Sequence, residues 1–450
     1  MYNIFFITMA VIVITALLLP LLRIKRHAAY AGSAVSALLA AYWIYSAFTY
    51  SKPTGKFIFD NLTIVVAVAS LFVGSIIMLS YAKLDSKSNI SSSLLLIGIL
   101  GTILVASTIN PLVILASWGL LSIASYGVAA IPKDKRSLTN ALKYAFMGGL
   151  SFQFLIIAVL LVFSYSTVLV AALLGFSLFL VAIGFKVGAV PFHMWLPDVY
   201  GSSDPLAVSA LSAIMKLGPL ALTLRIMLMV VGQLTPAEIQ TAIILGTIIS
   251  LLTMTWGNVA ATVQSNVQRV LAYSSISHVG YMLMGLVAAM ASLYYHVSYY
   301  YAIIGLFIYF FSYSVSKAGA FTYVRGFSDR KVESLKGSGK KYGVNSAMFS
   351  LSLLNLLGLP PLLGFWGKLM IFMSAANPKL NIFYIGPLPW FTIIAIINSV
   401  ISAFYYVKII QSIYADGNAQ ADFNKLNSTI IISGLFLVIA GVIVPLMLTV

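Results

Sequence analysis

Apolar residues run along this chain in stretches of about twenty, separated by short polar segments that hold most of the charge. A hydrocarbon layer of about 30 Å needs about twenty helical residues to cross it, so the pattern predicts membrane-spanning helices. Taken in order the stretches number fourteen: about 2–22, 30–50, 57–82, 90–109, 111–131, 139–163, 167–192, 203–229, 238–257, 268–290, 297–324, 343–374, 387–413 and 427–449. Two of them are interrupted. The seventh carries Lys186 and breaks at Pro191; the twelfth breaks at Pro360 and Pro361, with Lys368 beyond. Proline lacks an N–H and frees a carbonyl, and at bilayer depth such groups persist only against protein or a water-filled cavity. Five spans separate the two breaks, an odd offset that reverses orientation across the bilayer. Spans 4–8 and 9–13 are therefore expected to be inverted repeats, with two unrelated proline kinks as the alternative. The expected units are 1–89 (spans 1–3), 90–230, 231–413 and 414–450 (span 14).

Composition supports this all-α polytopic class. Of 450 residues, 61% are hydrophobic and only 8% charged, against about 25% charged in a soluble domain. The net charge of +16 is distributed as a membrane protein requires rather than as a nucleic-acid binder would have it. With fourteen passes one face receives seventeen Lys and Arg residues, from Arg23, Lys25 and Arg26 through Lys336, Lys340 and Lys341 to Lys425. The other receives Lys52, Lys56 and Lys379. The positive-inside rule makes the first face cytoplasmic and puts both termini outside. The first span has no evident cleavage site and is read as retained. With no cysteine the chain has no thiolate for an iron–sulfur cluster and no disulfide. Its four scattered histidines have no recognised metal-ligand spacing.

The remaining basic residues lie within spans. Lys143 and Arg225 are near span ends, where a long side chain can reach the interface. Lys186, Lys216, Lys317 and Lys368 lie deeper, Lys216 in the middle of the eighth span. A charged lysine at the bilayer centre costs about 2.5–3.5 kcal/mol even on the lenient insertion scale. All ten acids, Asp60 and Asp204 among them, fall in loops or at span ends, so structural ion pairs at mid-span are disfavoured. Lysines on a proton path are the better reading. Desolvation disfavours the ammonium of a group whose reference pKa is about 10.4, bringing the amine within range of proton exchange. His278, flanked by Ser274, Ser275, Ser277 and Tyr281, is placed to bridge two half-channels or to serve as a satisfied packing histidine. His193 reads as a capping or turn residue rather than a relay, Gly148-Gly149 as a close-packing site, and the Tyr and Phe enrichment as interface belts.

The runs FKVGAVPFHMWLPDVY, LSAIMKLG, RVLAYSSISHVGYMLMG, LGLPPLLGFWGKL and NSVISAFYY resemble the antiporter-like subunits of respiratory complex I, and the resemblance extends from about Asp60 to Lys408. NSVISAFYYVKII is closest to subunit N. The resemblance implies a proton-translocating membrane subunit with Lys186, Lys216 and Lys368 on a central axis. It also implies no redox cofactor in this chain, with quinone, iron–sulfur clusters and possibly flavin held by partner subunits in the cell membrane. The chain departs from the family at three places. Gly119 stands where relatives carry a glutamate, Gln268 where they carry a lysine, and Gly201-Ser202-Ser203-Asp204-Pro205 where a glutamate and a proline pair are usual. The alternatives are a subunit of a Mrp-type sodium/proton antiporter or of a membrane-bound hydrogenase, and a passive structural subunit. The electron donor, NADH, a reduced deazaflavin or ferredoxin, stays open.

Overall fold

The computed structural model describes residues 2–22, 25–49, 58, 60–84, 88–131, 135–163, 169–380, 389–423 and 426–448. Six basic loop residues behind the charge asymmetry, Arg23, Lys52, Lys56, Lys87, Lys133 and Lys425, lie outside them. The described residues are helical, with no strand beyond one isolated bridge between Asn266 and Lys331. This is the expected outcome in lipid, where a helix satisfies its own backbone polar groups. In chain order the helices are α1 (Tyr2–Leu18), α2 (Lys25–Thr49), α3 (Asn61–Leu84), α4 (Ser88–Ala106), α5 (Pro111–Ala130), α6 (Lys135–Phe163), α7 (Leu169–Val187), α8 (Trp195–Ser202), α9 (Pro205–Ala213), α10 (Leu217–Val230), α11 (Pro236–Thr262), α12 (Val267–Tyr294), α13 (Tyr300–Arg325), α14 (Ser338–Lys341), α15 (Gly343–Leu357), α16 (Leu363–Ala375), α17 (Pro389–Tyr414) and α18 (Asn427–Leu448).

Among the described residues eleven spans are long and apolar enough to cross a membrane, and α1, α7, α15 and α16 are shorter apolar helices. The helix starts follow local chemistry. Asn110, Asp204, Thr235 and Asn266 each accept a backbone N–H of the first turn, and Pro111, Pro205 and Pro236 occupy the first helical position, where a missing N–H costs nothing. Thr235 and Glu238 complete a reciprocal capping box. α12 lies at the centre, buried along nearly its whole length. It packs on α11, α13 and α16.

Both anticipated breaks are present. α7 ends at Val187, and Gly188 takes φ +80° before Pro191; α15 ends at Leu357, and Gly358 takes φ +89° before Pro360-Pro361. Glycine tolerates this left-handed conformation without a Cβ penalty. A third break departs from the sequence expectation: Lys216 does not sit inside a continuous helix. The eighth span divides into α9 and α10, and Lys216 occupies the turn between them. Pro219 explains the break, because it has no N–H for the carbonyl four residues earlier. The local ladder widens there, with Met215 N–H reaching back to Ala210 O at 3.4 Å.

Candidate functional site

Three of the four buried lysines are tied to helix breaks, and the fourth to the central helix. Lys368, 4% exposed, reaches from α16 across the second break. Its ammonium donates to Leu356 O (3.0 Å), Leu357 O (2.9 Å) and Ser399 Oγ (3.2 Å). In an unbroken helix those two carbonyls would accept from residues 360 and 361, which are prolines. The lysine therefore supplies the two donors that the proline pair lacks. Asn355 secures the same break by accepting Gly364 N–H at 2.7 Å and donating to Ser312 and Ser316 Oγ.

Lys186 lies in the last turn of α7, the end of a helix that favours a cation. It is 3% exposed and donates to Ser122 Oγ at 2.9 Å. Lys216 is 2% exposed, and its ammonium has no hydrogen-bond partner among the described residues; the Tyr200 ring lies 5.2 Å away. Lys317, on α13, is fully buried and donates to Leu271 O (2.9 Å) and Ser274 Oγ (2.8 Å) of α12. From there a hydrogen-bonded row continues without a gap. Ser274 Oγ meets Tyr406 Oη at 2.5 Å, Tyr406 Oη meets His278 Nε2 at 3.1 Å, and His278 Nδ1 meets Tyr309 Oη at 2.5 Å. A neutral imidazole donates through one nitrogen and accepts through the other, so His278 can hand a proton from one hydroxyl to the next. Both of its ring nitrogens are engaged, by Tyr309 and Tyr406, as a satisfied packing histidine requires.

Aromatic rings span the remaining intervals. Between Lys186 and Lys216 stand Tyr144, Trp195 and Tyr200, with Tyr144 stacked on Trp195 at 4.4 Å. Tyr281 covers Lys368 at 4.8 Å and stands against His278 at 6.1 Å. Sequence reasoning misses Tyr406, Tyr309, Tyr313 and Tyr200, all fully buried, because tyrosine enrichment by itself points to interface anchoring. The signal was present: Ser274, Tyr281, Tyr309, Ser316 and Tyr406 are hydroxyl-bearing residues in mid-span.

Other sequence expectations divide. Lys143 pairs with Asp198 at 3.3 Å, both half exposed, as a residue near an interface should. Arg225 does not reach outward. It is 9% exposed and pairs bidentately with Asp60 (2.9 and 2.6 Å), with Ala106 O and Thr63 Oγ1 as further acceptors, a structural ion pair that ties α10 to the residue just before α3. His193 is a turn residue whose carbonyl accepts Leu196 N–H. Gly148 admits the Tyr126 hydroxyl, whereas Gly149 faces open space. Gln268 is fully buried and satisfied as an amide: it donates to Tyr200 O and Ser203 O and accepts from Arg330. A lysine there could not accept from Arg330. Among the described residues no cluster of His, Asp or Glu could hold a metal ion.

Residues 108–402 match the family model described as NADH:quinone oxidoreductase/Mrp antiporter, transmembrane. The NADH-quinone oxidoreductase subunit N of Dehalococcoides mccartyi is 31% identical over 443 residues, covering 89% of this chain and 87% of that protein. That of Alkalilimnicola ehrlichii is 28% identical over 436 residues, covering 90% and 84%. Among solved structures, a chain of respiratory complex I from Thermus thermophilus superposes with a TM-score of 0.80 at 26% identity, covering 98% of both chains. A chain of the Mrp complex from Dietzia sp. shares the fold, with a TM-score of 0.83 at 15% identity over 99% of this chain and 95% of that one. The chain belongs to the NADH:quinone oxidoreductase/Mrp antiporter family of membrane subunits, with subunit N of NADH-quinone oxidoreductase among its curated relatives.

Proposed function

We propose that this chain is the proton-translocating subunit N of a complex I-type quinone-reducing assembly in the cytoplasmic membrane, with fourteen spans and both termini external. Lys186, Lys216, Lys317, His278 and Lys368 form its proton relay. Quinone, iron–sulfur clusters and flavin belong to partner subunits, and the chain contributes to the enzyme as a non-redox part. The units 90–230 and 231–413 are read as inverted repeats. Their breaks share one design: a left-handed glycine, Gly188 or Gly358, then proline, with a lysine ammonium at the end of the first half-helix.

The observation that carries this reading is Lys216. A buried amine with no hydrogen-bond partner among the described residues has no structural reason to be a lysine. Leaving such a donor unsatisfied costs about 1–3 kcal/mol. A relay amine, in contrast, must be free to accept and release a proton as its surroundings change. Moving one charge against 100 mV takes about 2.3 kcal/mol, which a shift of under two pKa units supplies at 1.36 kcal/mol per unit. The test is Lys216→Ala in the assembled complex, purified with its partners and reconstituted into vesicles. Loss of most proton pumping and of coupled quinone reduction, with the subunit set intact, is expected. An assembled Lys216→Ala complex with full activity would overturn the relay. Co-purification with a quinone-site subunit and iron–sulfur proteins separates this assembly from an antiporter.

A further inference from the structure

The ammonium of Lys186 is enclosed in a way that the relay by itself does not require. Three rings surround it: Trp118 at 5.9 Å, Tyr126 at 5.5 Å and Tyr144 at 5.6 Å from Nζ to ring centroid. Among the described residues its one hydrogen-bond acceptor is Ser122 Oγ. No carboxylate lies within ion-pair distance of it among the described residues. We propose that Trp118, Tyr126 and Tyr144 form an aromatic cage that takes the place of a carboxylate, holding the protonated form of Lys186 by cation–π attraction. The cage deepens the relay reading above and rests on it. Its members are positioning residues for the proton that Lys186 carries.

The cage is built by sequence spacing. Trp118, Ser122 and Tyr126 follow one another at i, i+4 and i+8 on α5, so they share a face. Tyr144 joins from α6, edge-on to Tyr126 at 4.9 Å. Two further residues fix the rings. Gly148 makes room for Tyr126, because a Cβ there would fall 1.7 Å from its hydroxyl. Trp195 backs Tyr144 and donates its indole N–H to Phe185 O at 2.8 Å, tying the cage across the break that ends α7. The negative face of an aromatic ring attracts an ammonium within about 6 Å, most strongly when the pair is desolvated. Lys186 and Trp118 are both buried. The proton taken up on the Lys186 amine stays on nitrogen as ammonium under the rings. It leaves when the lone pair re-forms and the proton passes towards Lys216.

Beside Trp118 on α5 there is room for a further side chain. Gly119 has nothing within 4 Å of its would-be Cβ and lies one turn before Ser122 on α5. That space allows a chemical rescue. Trp118→Leu removes one ring face, and the assembled complex should pump about tenfold more slowly, which corresponds to about 1.4 kcal/mol of lost cation–π attraction. Trp118→Phe keeps a ring face and should retain most of the rate. Adding Gly119→Glu to Trp118→Leu should restore pumping, since a carboxylate supplies the charge complementarity that the ring supplied. Packing damage would not be repaired by an acid on another residue. Gly148→Ala, which displaces Tyr126, should act like Trp118→Leu. The reference is Lys186→Met. If Lys186→Met pumps normally, the relay reading itself fails. If Lys186→Met stalls while Trp118→Leu and Gly148→Ala pump like the wild type, the cage alone is refuted. The cage is also refuted if Trp118→Leu is slow and Gly119→Glu does not rescue it.

Discussion

Lys368 separates a structural role from a chemical one, and two substitutions distinguish them. Its ammonium takes the two carbonyls that Pro360 and Pro361 leave without donors. Lys368→Met removes both bonds. Leu357 O keeps the Ser399 hydroxyl at 3.3 Å, so the main loss falls on Leu356 O. A buried acceptor left unsatisfied costs about 1–3 kcal/mol, and the bonds lost are charge-assisted, stronger than neutral ones. The thermal midpoint of the purified complex should therefore fall by a few degrees, and proton-coupled quinone reduction should stall. Lys368→Arg should recover the midpoint, because a guanidinium offers five donors to the same carbonyls. It should recover little turnover, because a guanidinium does not release its proton. The assays are thermal unfolding of the complex and proton pumping in vesicles, run on the same preparations. Wild-type pumping by Lys368→Arg would show that only a fixed charge is needed and would refute the relay at this position.

Three further outcomes follow from the same geometry. Lys216→Met removes a buried amine that has no hydrogen-bond partner among the described residues, so it should raise the thermal midpoint slightly while abolishing pumping, the reverse of the Lys368→Met stability effect; a fall in the midpoint would reveal a structural partner. Tyr406→Phe deletes the hydroxyl between Ser274 and His278 with little change of shape, and should slow pumping at least tenfold at unchanged subunit content, while normal pumping would mean that protons bypass His278. Gly358→Ala forces a side chain onto a φ of +89° and sets a Cβ 2.9 Å from Lys368 Cδ, so it should cost about 1–3 kcal/mol of stability and impair turnover; wild-type behaviour in both would show that the break adapts.

The sequence made the helices and two of the breaks legible because lipid leaves one solution for the backbone and because proline and glycine mark its exceptions. The third break is less legible, because its cause, Pro219, stands three residues after Lys216 inside an otherwise apolar run. The lysines were legible because an ammonium at bilayer depth is anomalous. What joins them was not. Hydroxyls and rings carry no such anomaly, and whether Tyr406 faces Ser274 or lipid depends on how α17 is rotated against α12, which no local pattern sets. Arg225 shows the converse: its position near a span end suggested the interface, but Asp60, distant in sequence, holds it inside.

A single proton path makes its members interdependent. Residues acting as one unit show grossly non-additive losses when removed together. The direct measurement is proton pumping by reconstituted complexes carrying Lys216→Ala, Lys317→Met and both, at matched subunit content. One path through Lys216, Lys317 and His278 predicts that the double variant is no slower than the slower single variant. Losses that multiply would mean that the two lysines serve separate routes, and would contradict the continuous relay.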